Sequence, residues 1–87
     1  MQIEEKKQQI LNSLAKVTQK LRGRQSQFML ASENDISISI ISTVERALKD
    51  PQFTTIYKLA EALNIKPHKL MKMVEDDLPP DFTLIDR

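Results

Sequence analysis

Few side chains in this sequence could do chemistry, and their spacing points away from catalysis. His68 is the only histidine and there is no cysteine. Neither a thiolate zinc site nor a histidine cluster can be built, so no metal and no cofactor are expected, and His68 reads as an ordinary residue near a helix start. Asp76 and Asp77 are adjacent; neighbours on a helix point in different directions, so they do not make a paired acid and base. There is no glycine-rich phosphate loop and no nucleophile elbow. What remains is a run of short hydroxyl side chains, Ser37, Ser39, Ser42 and Thr43, followed by the cations Arg46 and Lys49. Such groups bind polar surfaces and phosphates. The expectation is a binding protein, not an enzyme.

Helices must position that run. Ile3, Ile10, Leu14, Val17 and Leu21 recur at helical spacing, which predicts one long amphipathic helix over about 3 to 22, ended by Gly23 as a left-handed cap. Its first turns, Ile3 to Ile10, exceed what a small core needs and are expected to project towards a partner or to fray. Ser26 caps a second helix over 27–33 with Phe28, Leu30 and Ala31 available for burial. Asn34-Asp35 makes the turn, since both types tolerate left-handed geometry. Ser37 caps the third helix, expected over about 37 to 48, with Ile41, Val44 and Leu48 on one stripe and Ser39, Ser42, Thr43 and Arg46 opposite. Asp50-Pro51 stops it. A fourth helix over 53–63 turns Ile56, Leu59, Ala60 and Leu63 inward and ends at Asn64. A fifth runs from Pro67 to Asp77 with Leu70, Met71 and Val74 as its apolar side, and Pro79-Pro80 ends it. Residues 81–87 are compatible with a short strand, an extended arm or disorder.

The predicted fold class is therefore all-α: a compact five-helix domain over residues 1–77 with its turn at 34–36, and an acidic tail over 78–87. At 87 residues the chain is one small domain for which dimerisation would help, because a single core is barely adequate at this size. No charged start followed by a long apolar run occurs, so neither a signal peptide nor a membrane span is expected, and with no cysteine the cytoplasm is the natural compartment. Net charge is only +1, but it is polarised. Lys6 to Arg24 holds six basic residues and no acid, and Glu75 to Asp86 holds five acids and no base. The basic segment suits phosphates or an acidic partner; the tail suits shielding or a protein partner.

Two short helices around a tight turn form helix-turn-helix spacing, for which duplex DNA is the leading partner. The residues from about Leu14 to Val74 also resemble the Cro and cI-repressor-type, or XRE-type, helix-turn-helix domains. The resemblance is carried by Ser26-Gln27, Leu30-Ala31, Ile36-Ser37, Ile41-Ser42, Val44-Glu45-Arg46, Pro51 and Lys58 to Ile65. It implies a dimeric transcription regulator whose third helix enters the major groove. Gln27 would touch a backbone phosphate, and Ile38, Ser39, Ser42 and Thr43 would reach base edges. Ser37, Arg46 and Lys49 complete the expected DNA-binding set. The chain departs from the family where Asp35 and Ala47 replace common glycines, and where the connection after the first helix is about two residues shorter.

Ile38 and Ile40 also depart, because polar residues are common at both positions. They lie at opposite edges of the core stripe, and partial burial of at least one is the first expectation. Packing on a thymine methyl comes next. The alternative function is a protein-interaction module, or an antitoxin-like protein that binds a partner through the tail.

Overall fold

A computed structural model describes residues 2–85. The side chain of Ile3, and Asp86 and Arg87 of the tail, lie outside the described residues. Five helices follow one another: α1 (Gln2–Arg22), α2 (Gln27–Glu33), α3 (Ile38–Glu45), α4 (Phe53–Ala62) and α5 (Pro67–Asp77). No strand occurs among the described residues, so of the three forms open for the tail the strand is excluded over 81–85.

Helix α1 is the spine. It packs against α3 and against α5, while α2 packs on α3 and α4 on α5. Contact with two neighbours explains why its buried set is wider than one stripe: Leu11, Ser13, Ala15 and Thr18 join Leu14 and Val17. The common core adds Leu30, Ile36, Ile41, Val44, Leu59, Ala60, Leu70 and Val74. Each fully buried aliphatic side chain stabilises the fold by about 1.5–3 kcal/mol, so packing holds the short helices more strongly than their own propensity does. The early turns of α1 do not project freely. Gln8 Nε2 donates to the Ala47 carbonyl at 3.1 Å, and Lys7 Nζ lies 3.6 Å from the Asp50 carboxylate. They brace the segment that follows α3.

The helix ends follow their caps. Ser26 Oγ accepts from the Met29 N–H and Ser37 Oγ from the Ser39 N–H, both at 3.0 Å. Gly23 and Asn64 take left-handed backbone at φ 62° and 60°, as expected for residues that tolerate it. Ala47 does so as well, at φ 53°. The N–H of Ala47 donates to the Val44 carbonyl and that of Leu48 to the Thr43 carbonyl. This double bond pattern is a Schellman motif, and it closes α3 at Glu45, three residues before the expected end.

Several burial expectations are corrected by this geometry. Leu48 lies beyond the shortened α3 and is exposed instead of sharing its stripe. Phe28 is 66% exposed, because α2 buries only its Leu30 side against the core. Met71 is exposed, and Met73 packs on the core in its place. The turn at Asn34-Asp35 uses no left-handed residue; Asn34 has φ −142°, and its side-chain amide donates to the Leu30 carbonyl at 3.0 Å. The tail turns back at Pro79, whose carbonyl accepts from the Phe82 N–H at 3.0 Å. Leu78 packs on the core, and Phe82 shares a groove with Ile10, Met71 and Val74.

Candidate nucleic-acid interface

The surface of α3 is built from an alternation that α1 and α2 impose. Ile41 and Val44 point into the core, Ile40 packs partly against it and Glu45 is buried, so the other positions face outward. Ser37, Ile38 and Ser39 are exposed, and Ser42 and Thr43 are half-buried. The two isoleucines thus separate. Ile40 meets the expectation of partial burial, whereas Ile38 remains 45% exposed at the first position of the helix.

Glu45 ties this helix to its two neighbours. Its side chain is only 3% exposed and accepts from Arg22 Nε at 2.7 Å and Arg22 Nη2 at 2.8 Å. The same carboxylate accepts from Gln27 Nε2 at 2.8 Å, and the Glu45 backbone carbonyl accepts from Gln19 Nε2 at 3.0 Å. Arg22 Nη1 also donates to the Gln25 carbonyl at 2.7 Å, which pins the short α1–α2 connection. The hydrogen bond to Glu45 raises the Arg22 pKa above its ordinary value, so this guanidinium is charged at any working pH. One buried carboxylate therefore fixes α1, α2 and α3 relative to each other.

Of the expected contact residues, the structure brings some together and separates others. Ser39, Thr43 and Lys49 line one shallow depression with Ile40 and Pro51. Two further residues join them there, Gln52 and Thr55 from the start of α4. The sequence reading missed this pair; the signal available was a polar turn directly after Pro51. Ser42 and Ile38 do not line that depression. Arg46 sits at the C-cap of α3, exposed, where a cation also complements the helix dipole. Gln27 is half-buried with its amide held by Glu45, so it is a fixed group at the start of α2 and not a free surface arm.

The charges of the face are unevenly paired, and Asp50 lines the depression beside Lys49. The only acid on α3 is Glu45, which Arg22 neutralises. Arg46 and Lys49 have no ion-pair partner among the described residues, whereas the flanking acids Asp35 and Asp50 lie within 3.9 Å of Lys58 and 3.6 Å of Lys7. Among the described residues no cluster of His, Cys, Asp or Glu could hold a metal ion, and no helix is long and apolar enough to cross a membrane. No family model matches the chain, and no curated protein and no solved structure matches it significantly.

Proposed function

We propose that this protein is a non-enzymatic, sequence-specific DNA-binding transcription regulator of the Cro/cI helix-turn-helix kind, working in the cytoplasm as a homodimer. The reading rests above all on α3: a short helix with a hydroxyl-rich outer side, cations after it that have no ion-pair partner among the described residues, and a buried carboxylate holding it rigid. In this arrangement α3 enters the major groove and Ser39 and Thr43 meet base edges. Arg46 and Lys49 meet phosphates, and Gln27, oriented by Glu45, positions α2 on the backbone. A dimer sets two such helices about 34 Å apart, one turn of the duplex. Selection of bound duplexes from a random pool, at low and at moderate salt, tests it. The expected product is an enriched, roughly palindromic site; binding without enrichment overturns the reading.

One observation favours a second reading. Leu84 and Ile85 are exposed beyond the seat of Phe82, as a tail that engages another protein would be. In an antitoxin-like arrangement the helices bind DNA and the tail binds a partner. A pull-down from the native cell that returns no stoichiometric protein counts against this second role.

A further inference from the structure

The first position of α3 is occupied by an isoleucine that the fold does not bury. Ile40, two residues on, packs against the core, but Ile38 keeps 45% of its surface open between Ser37 and Ser39. The N-terminal residues of a recognition helix are the ones that meet base edges. An exposed isoleucine there neither donates nor accepts a hydrogen bond, and its one favourable partner in the major groove is the C5-methyl group of thymine.

The surroundings sharpen the point. From Ser37 to Val44 there is no Arg, Lys, Asn or Gln, so the outer side of α3 has no bidentate partner for guanine or adenine. Ser37 Oγ already accepts from the Ser39 N–H, and the Gln27 amide is held by Glu45. The exposed cations Arg46 and Lys49 suit a polyanion better than an apolar protein surface. We infer that Ile38 is a specificity-determining residue that reads a thymine methyl, so that each half-site carries one T·A pair whose methyl is recognised as an apolar group. This rests on the DNA-binding reading above.

The test uses the intact protein and a duplex selected by it from a random pool. Thymines are replaced one at a time by deoxyuridine, which removes the methyl and leaves every hydrogen-bonding group unchanged. At one position per half-site affinity should fall about fourfold, the effect of one buried methyl-sized group, and about fifteenfold when both half-sites are changed. Ile38→Ala should bind the thymine and deoxyuridine duplexes equally; since Ile38 is exposed, this variant is expected to fold. If every deoxyuridine duplex binds the wild-type protein as well as its parent, the inference is overturned and the DNA-binding reading stands. The same holds if Ile38→Ala keeps the full discrimination. If no site is enriched from the pool, both fall together.

Discussion

Glu45 is the residue on which the orientation of α3 turns. Removing its cation by Arg22→Ala leaves a carboxylate 3% exposed with only Gln27 opposite it. Loss of one partner from a buried pair costs about 3–5 kcal/mol, so urea denaturation should show a destabilisation near the lower end, since Arg22 is itself 20% exposed. A loss below about 1 kcal/mol would mean that water substitutes for the guanidinium. Ala47 gives a second residue-scale prediction, of opposite sign. A left-handed alanine is strained by about 1–2 kcal/mol, and glycine gives back about 0.5–1 kcal/mol through greater freedom of the unfolded chain. Ala47→Gly should thus stabilise the fold by about 0.5–1 kcal/mol in the same measurement. These two residues also mark what was legible. Ser26 and Ser37 announce their caps by type, and Asn64 its left-handed turn. Ala47 is silent by type, because alanine is the best helix former, so α3 reads three residues too long; only the family resemblance, with glycine common there, marks the position.

Among the elements, α1 carries the packing and its buried polar groups are testable. Ser13 Oγ donates to the Val74 carbonyl at 3.2 Å, joining α1 to α5. Thr18, fully buried, has a hydroxyl with no partner among the described residues. Replacing it by the similarly shaped valine removes an unsatisfied group, and Thr18→Val should raise stability by about 1 kcal/mol. Asp77 closes the same pair of helices at the far end of α5. Its hydrogen bond from Lys16 Nζ, at 3.0 Å, holds the carboxyl below its ordinary value. A depressed carboxylate contributes stability in full above the unfolded pKa of about 4, and that contribution fades as pH falls through the lower folded value. Wild type should therefore exceed Asp77→Asn by a constant margin above about pH 5, and the two should converge in acid. Helical periodicity made the existence and order of all five helices legible. It could not show that α1 has two packed sides, since Ser13, Ala15 and Thr18 fall outside the predicted apolar stripe yet are buried.

At the scale of the whole molecule the chain extends 42 × 22 × 22 Å, with one axis lengthened in keeping with a 21-residue helix of about 31 Å. Net charge is only +1, and folding pairs Lys7, Lys16 and Arg22 of the basic 6–24 segment with Asp50, Asp77 and Glu45, while Arg46 and Lys49 beside α3 have no ion-pair partner among the described residues. In duplex binding by this surface, Lys49→Ala should weaken affinity about equally for all sequences and lower the slope of log affinity against log salt by about 1. The tail was least legible, because Phe82 finds its seat only once Ile10 of α1 and Met71 of α5 are brought together. The most direct measurement of the central claim is an amide chemical-shift map of the labelled protein during titration with a selected duplex at moderate salt. Shifts concentrated at 26–27, 37–46 and 49 are the predicted result. Shifts confined to α5 and the tail, or none at all, would contradict the account.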